Sequence, residues 1–132
     1  MQRRLMIGVA LALPVLEGRA GQTAFAWQIY TVDRFAAEQA AGKTILVAVH
    51  ADWCPTCRQQ VPILESLMAD PAMASVVPMR VDFDGDKEFL KAHRIAQQST
   101  ILVFKGDREV GRVIAETDPG RLKAFVSTNT AP

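Results

Sequence analysis

The most distinct hydrophobic pattern in the chain is a continuous apolar run that ends just before residue 50. Thr44–Val49 consists almost entirely of apolar, often β-branched residues and does not alternate with polar ones. Such a run indicates a strand that is buried on both faces of a sheet. Val76–Val81 and Thr100–Phe104 have a similar character and predict two further buried strands.

Helical spacing predicts helices between and after these strands. Val61, Leu64 and Met68 recur at intervals of three and four, which predicts a helix that follows residue 54 and ends near Met68. Pro62 lies inside this helix and should kink it, since proline has no N–H to donate. The other predicted helices are Arg34–Ala41 (capped by Thr31 or Asp33 and stopped by Gly42), Lys87–His93, and Pro119 to about Val126 (capped by Asp118).

Weaker signals complete the order of elements. Trp27–Tyr30 predicts a short edge strand, and Val110–Ala115 predicts a strand that forms a hairpin after the turn Lys105–Arg108. The polar tail Ser127–Pro132 is predicted to fray. The resulting order, β-α-β-α-β-α-β-β-α, predicts an α/β fold with a central mixed sheet and helices on both faces.

The first 26 residues differ from the rest of the chain. A short basic start precedes the apolar run Leu5–Leu16, and small-residue exits follow at Ala20 and Ala26. This is the pattern of a secretory signal peptide, and the run is shorter than the roughly 20 residues that span a bilayer. We expect a signal peptide over residues 1–26, cut after Ala20 or Ala26.

A single domain over residues 27–132 should follow that signal. The alternatives to cleavage are a buried N-terminal helix and an uncleaved membrane anchor. We therefore expect an exported protein, which is membrane-anchored if the signal is retained.

Composition excludes several classes of protein. The chain has 132 residues, of which 49% are hydrophobic and 22% charged, with a formal net charge of +1. These values are ordinary for a globular domain and imply no general attraction to nucleic acid. Two cysteines are too few for a disulfide-stapled scaffold. Nothing demands more than a monomer.

Both cysteines lie where the first buried strand gives way to a helix. Cys54 precedes Pro55, a residue favoured in the first helical turn, so its sulfur should lie among free N–H groups at the helix N-terminus. That position favours the thiolate. Cys57 lies one turn further in, and we expect it to be the more buried of the two. Such a pair can attack a partner's disulfide through one sulfur and resolve the mixed disulfide with the other.

Two other interpretations of the pair are weaker. A zinc site normally has four ligands, and His50 and His93 form no second pair of ligands. A structural disulfide that closes so short a loop adds little stability. We predict no bound metal and no cofactor.

Several spaced segments resemble the thioredoxin family. They are "ILVAVHADWCPTC" at 45–57, Pro62 five residues after the second cysteine, "VDFDGD", and "STILVFKGDREVGRV". The resemblance covers about residues 27–127 and implies a thioredoxin-like fold. The chain looks most like exported bacterial thioredoxin-like domains, including those of periplasmic disulfide reductases.

The resemblance also implies roles for individual residues. Cys54 corresponds to the attacking nucleophile and Cys57 to the resolving thiol. Trp53 corresponds to the aromatic flank of the active site, with a core aromatic as the alternative. Pro55 and Thr56 form the intervening pair, which in this family tunes the redox potential.

The chain departs from the family in the loop that flanks the site, at Ser99 and Thr100. The family carries a cis-proline where this chain has Ser99. A cis bond before a non-proline residue costs about 2.5–4 kcal/mol, so we predict a trans peptide there. The Ser99 hydroxyl is expected either to bind a sulfur or substrate or to serve as a plain turn residue.

A second departure is Ala48, where thioredoxin has a buried aspartate that assists proton transfer at the resolving cysteine. Asp52 and Glu65 are the nearest carboxylates in sequence, and we expect both to be solvated surface charges. As an imidazolium His50 would favour the thiolate, but we expect it to point away from Cys54 or to serve as a cap.

Together these features predict a thiol–disulfide oxidoreductase that acts on protein disulfides, more as a reductant, with electrons from a membrane-bound donor. One alternative is a substrate-binding or chaperone-like module with weak turnover, which Ser99 and Ala48 motivate. Another is a Cu(I) metallochaperone that uses both thiols and His50, since thiolates suit this soft ion.

Overall fold

The computed structural model describes residues 25–132, so the predicted signal peptide lies almost wholly outside the described residues. The described residues form five strands and four α-helices in the predicted order, with one additional 3₁₀ turn at Pro71–Met73. In chain order they are β1 (Gln28–Ile29), α1 (Val32–Ala40), β2 (Thr44–His50), α2 (Pro55–Met68), β3 (Val77–Asp82), α3 (Lys87–Ala92), β4 (Thr100–Lys105), β5 (Arg108–Ile114) and α4 (Pro119–Thr130). No helix within these residues is long and apolar enough to cross a membrane.

The strands form one mixed sheet in the order β1-β3-β2-β4-β5. β3 pairs in parallel with β1 and β2, whereas β4 is antiparallel to β2 and to β5. β2 therefore lies at the centre, with Val47 between Met79 of β3 and Leu102 of β4. The predicted mixed sheet with a terminal hairpin is confirmed.

Helices cover both faces of the sheet. On one face, Phe35 of α1 and Phe89 of α3 pack against Ile45, Val47 and the other odd-numbered residues of β2. On the other face, residues of α2 and α4 pack against the even-numbered ones. The second cluster includes Leu46, Leu64, Met68, Leu122 and Val126. Burial on both sides explains why β2 is apolar throughout.

The C-terminal helix is longer than predicted. Residues Ser127 to Thr130 continue α4, so the prediction of a frayed tail from Ser127 was wrong for these four residues. Their polar side chains bond back to the helix, since Thr130 Oγ1 donates to the carbonyl of Val126 at 2.7 Å and Asn129 Nδ2 to that of Phe125 at 2.8 Å. Both side chains are half-buried, and Thr130 Oγ1 also lies 3.5 Å from Met73 Sδ, so the last turn of α4 makes a tertiary contact as well.

The bounds of other elements also shift slightly. Thr31 is the N-cap of α1, because its hydroxyl accepts the N–H of Arg34 at 3.1 Å. β1 is shorter than Trp27–Tyr30, and β5 begins two residues before Val110. The helix α2 runs without a break through Pro62.

Candidate active site

Cys54 caps the start of α2 at the carboxyl end of the central strand. Its backbone is extended and Pro55 occupies the first turn. The Sγ of Cys54 accepts the backbone N–H of Cys57 at 3.2 Å, as the oxygen of a serine or aspartate does at other helix starts. The predicted placement of this sulfur at a helix N-terminus is confirmed.

Cys57 lies one turn further along α2, and both cysteines are free thiols. Its Sγ is 3.9 Å from the carbonyl oxygen of Val49 in β2. Each cysteine is 1% exposed. Exposure to solvent therefore does not distinguish the two cysteines. Burial raises the pKa of Cys57 to about 11, which agrees with the expectation that its sulfur is the more deeply placed one.

The thiol of Cys54 has a lowered pKa. Burial is the largest influence and would raise this pKa, but hydrogen bonds together outweigh it. They come from the side chain and backbone of Cys57, the side chain of Gln98 and the backbone of Thr56. These donors favour the thiolate. Gln98 was missed by the sequence reasoning, because it comes from a loop far along the chain.

The thiol of Cys57 is shifted in the opposite direction. Burial, followed by the side chain of Cys54, raises its pKa to about 11, although the backbones of Ala51 and Ser99 work against the shift. None of the groups that set this pKa is a carboxylate. The site therefore pairs one thiol that ionises readily with one that holds its proton.

Trp53 lies on the surface beside the pair. It is 56% exposed, which contradicts the alternative of a core aromatic. Its indole Nε1 donates to Asp84 Oδ2 at 2.7 Å, and its ring meets Phe83 edge-on at 6.4 Å. The acidic turn after β3 thus orients the tryptophan, a role that the sequence did not reveal.

The Gln97–Thr100 loop closes the site from the other side. Residues 25–132 contain no cis peptide bond, so the peptide before Ser99 is trans as predicted. Ser99 is buried with a φ of 61°, and its N–H donates to the carbonyl of Val49 at 2.9 Å. Its hydroxyl donates to the carbonyl of Gln98, which favours the alternative of a turn residue over that of a bond to a sulfur. Thr100 is buried and its hydroxyl donates to the carbonyl of Gln97 at 2.8 Å.

Gln60, on the helical turn after Cys57, is a second residue that the sequence reasoning missed. It is 3% exposed, and its Nε2 donates to the carbonyls of Ser99 at 3.1 Å and Glu116 at 3.0 Å. Its spacing of three from Cys57 placed it on the same helix face, which was the available signal.

The carboxylates named from the sequence lie elsewhere. Asp52 is fully exposed and pairs with His50 Nε2 at 3.1 Å, so Asp52 is a surface charge as predicted. Glu65 is half-buried and accepts the indole N–H of Trp27 at 3.1 Å, which corrects the prediction of a solvated charge. Ala48 packs within the apolar cluster under α2.

No metal site accompanies the thiols in the described part of the chain. Among residues 25–132, no three His, Cys, Asp or Glu side chains are grouped closely enough to hold a metal ion. His50 therefore does not complete a three-ligand Cu(I) site with Cys54 and Cys57.

Comparison with known proteins decides the family. The family model described as Thioredoxin matches residues 27–128. The chain belongs to the thioredoxin family. Relatives of this thioredoxin-family protein include the thioredoxins of Chlamydia muridarum and Chlamydia trachomatis, which are 30% and 28% identical to it over 100 residues. Each alignment covers 76% of this chain and 95% of the relative.

Solved structures are similar as well. Trxlp from Edwardsiella tarda is 39% identical with a TM-score of 0.71, covering 74% of this chain and 97% of that one. Malassezia sympodialis thioredoxin, 24% identical, shares the fold with a TM-score of 0.72 over 81% of this chain and 96% of its own. Membership of the family makes this thioredoxin-family protein a thiol–disulfide oxidoreductase, and thioredoxins act on protein disulfides.

Proposed function

We propose that this thioredoxin-family protein reduces protein disulfides, with Cys54 as the attacking sulfur and Cys57 as the resolving one. One observation carries the assignment of roles: the Sγ of Cys54 caps α2 and accepts the N–H of Cys57 at 3.2 Å. In this position the pKa of Cys54 is lowered, whereas that of Cys57 is raised to about 11. The thiolate is the nucleophile in disulfide exchange, so the sulfur that ionises first attacks first.

The proposed reaction has two exchange steps. The Cys54 thiolate attacks one sulfur of the substrate disulfide, the substrate S–S bond breaks, and the released substrate thiolate takes up a proton. Cys57 then loses its proton and attacks Cys54 Sγ in the mixed disulfide, which releases the second substrate thiolate. The substrate gains two electrons and two protons, and the Cys54–Cys57 pair becomes a disulfide.

The remaining residues named from the sequence flank this reaction in our proposal. Trp53 offers an exposed apolar surface to the substrate chain. Pro55 and Thr56 set the backbone between the sulfurs, and the backbone of Thr56 helps to lower the pKa of Cys54. Ser99 and Thr100 are buried in the flanking loop, which is bonded to β2 by the N–H of Ser99 and the carbonyl of Val49.

The resemblance to periplasmic disulfide reductases supports reduction over oxidation. A strong oxidant of this kind has a reduced form that is stabilised, as happens when its attacking thiolate is strongly favoured. The lowered pKa of Cys54 acts towards oxidation. The proposed direction therefore rests on the resemblance, and the reduction potential tests it.

Two measurements on the protein without its signal test this proposal. Equilibration with glutathione should give a reduction potential near that of thioredoxin, about −270 mV, and a value of about −120 mV would overturn the direction.

Insulin reduction should require Cys54, so Cys54→Ser should reduce turnover to background. Cys57→Ser should instead trap a mixed disulfide through Cys54. Insulin binding without turnover in the wild type would favour the chaperone-like alternative.

We also propose that the protein is exported and is reduced there by a membrane-bound donor. Cleavage after Ala20 is favoured over Ala26 because it retains Phe25, whose ring packs edge-on against Trp27 at 5.3 Å. The intact mass of the protein from a periplasmic fraction tests this cleavage site. The mass of a chain that begins at Trp27 or at Met1 would contradict it.

We also propose that the protein is a monomer, and light scattering should give the mass of one chain.

A further inference from the structure

We propose that Gln60 is a positioning residue for thiol–disulfide exchange, because its amide holds two strained loops in place beside the cysteines. The proposal builds on the role of Cys54 proposed above. In this proposal Gln60 of α2 holds the flanking loop, in which this chain has serine where the family has proline.

The buried polar residues gather at this one place. Among residues 25–132, the buried polar or charged ones are Gln60, Ser99 and Thr100. Burying an amide is unfavourable unless it is hydrogen-bonded, and the amide nitrogen of Gln60 has two acceptors, the carbonyls of Ser99 and Glu116. A glutamine with its donors satisfied in this way holds its acceptors at fixed positions.

Both of the connected loops are strained. Ser99 has a φ of 61° and Ala115 a φ of 57°, in the left-handed region that side chains other than glycine rarely adopt. The N–H of Ala115 donates to the carbonyl of Ser99 at 3.0 Å, so the two positions support each other. Gln60 bonds to that same carbonyl and to the one after Ala115. Strained residues persist only where their surroundings hold them, and here the two hydrogen bonds from Gln60 of α2 do so.

The clamped loop adjoins the cysteine pair through the carbonyl of Val49. The N–H of Ser99 donates to that carbonyl at 2.9 Å, and the Sγ of Cys57 lies 3.9 Å from the same oxygen. The side chain of Gln98, the residue before Ser99, is one of the groups that lower the pKa of Cys54. If the loop relaxes when the amide of Gln60 is removed, the Cys54 thiol should ionise less readily, although Gln60 Nε2 donates to neither sulfur.

The test compares Gln60→Met with Gln59→Met. Methionine keeps the length of the side chain and removes both donated hydrogen bonds, while the neighbouring Gln59 is exposed and serves as the matched control. The readout is the pH profile of Cys54 alkylation in the reduced protein, with the modified cysteine identified by peptide mass. A merely structural role for Gln60 would lower stability without moving this profile.

We expect Gln60→Met to shift the midpoint upward by about one pH unit, which slows alkylation about tenfold below the midpoint. Gln59→Met should match the wild type. The KM for insulin should rise in Gln60→Met, while the rate with a small aromatic disulfide should change only as the alkylation rate does. A folded Gln60→Met protein with the wild-type profile would overturn the proposal.

A second variant keeps the proposal testable if Gln60→Met does not fold. Gln98→Leu, on the partly exposed loop, should give the same upward shift, and an unchanged profile in this variant would also overturn the proposal. The wild-type profile separates the two proposals. If Cys54 of the wild type alkylates like an ordinary thiol, the assignment of the nucleophile fails, whatever the variants show.

Discussion

The two segments that meet at the cysteine pair, the start of α2 and the Gln97–Thr100 loop, are held over very different distances along the chain. The start of α2 is closed by a bond between Cys57 and Cys54, three residues apart. The loop is held by Gln60, which is 39 residues from Ser99. The first segment follows from local rules of helix capping, whereas the second exists only once the sheet and α2 are packed together.

The largest expected effect comes from giving the loop the family's proline. Ser99→Pro cannot keep a φ of 61° and removes the N–H that donates to Val49, so it should destabilise the protein by about 3 kcal/mol. Urea unfolding of the reduced protein measures this. Ser99→Gly is the control, since glycine adopts this φ freely and should keep or slightly increase stability. Equal stability of the proline variant would show that the loop adopts another conformation.

The next largest effect is the difference in reactivity between the two thiols. The pKa of Cys57, about 11, is two units above the ordinary 9.0, which lowers its thiolate fraction at neutral pH about 100-fold relative to an ordinary thiol. Cys54 has a lowered pKa and should react faster than an ordinary thiol. Alkylation at pH 7 followed by peptide mass should therefore label Cys54 first. Equal labelling of both cysteines would contradict the asymmetry.

The same pKa shift predicts a change of stability with pH. The folded pKa of Cys54 lies below the unfolded value, so the reduced unfolded state binds more protons between the two values. The contribution of Cys54 to the free energy of unfolding should therefore rise as the pH increases from the lowered pKa to 9.0. It should be lost as the pH falls through that lowered pKa. Comparing the free energy of unfolding of the wild type with that of Cys54→Ser across this pH range isolates the contribution of Cys54. A pH-independent difference between them would contradict this linkage.

Removing the cap at the start of α2 should destabilise the protein less than disrupting the Gln97–Thr100 loop. Cys54→Ala removes the sulfur that caps α2 and should destabilise the reduced protein by about 1 kcal/mol. Cys54→Ser keeps a capping atom and is the matched control. Thermal unfolding of both variants under reducing conditions checks this. If alanine and serine are equivalent, the cap contributes nothing to stability.

The smallest effect concerns a residue on the opposite side of the sheet. Burial lowers the pKa of His93, which packs among Phe35, Phe89 and Phe104. The unfolded chain therefore binds a proton first, and stability should fall as the pH drops from 6.5 towards the lowered pKa. His93→Leu should remove that slope while insulin reduction at pH 7 is unchanged. A slope that persists in the variant would place its origin in another group.

Much of the fold could be predicted from the sequence, because its signals are local. The apolar run of β2, the cap and proline at the start of α2, and the order of elements all follow from periodicity and helix-start chemistry. The helical tail could not be predicted, because residues 127–130 carry no apolar pattern and one of their contacts, from Thr130 to Met73, spans 57 residues.

The sequence by itself determined that two thiols lie at the start of a helix that follows a buried strand, since three residues of spacing and one proline suffice for that. Only the tertiary structure decided which groups surround them. Gln60 bonds to residues 39 and 56 positions away, and Ser99 in the loop before β4 donates to Val49 of β2. Hydrogen bonds over such separations depend on strand order and packing, which no short stretch of sequence encodes.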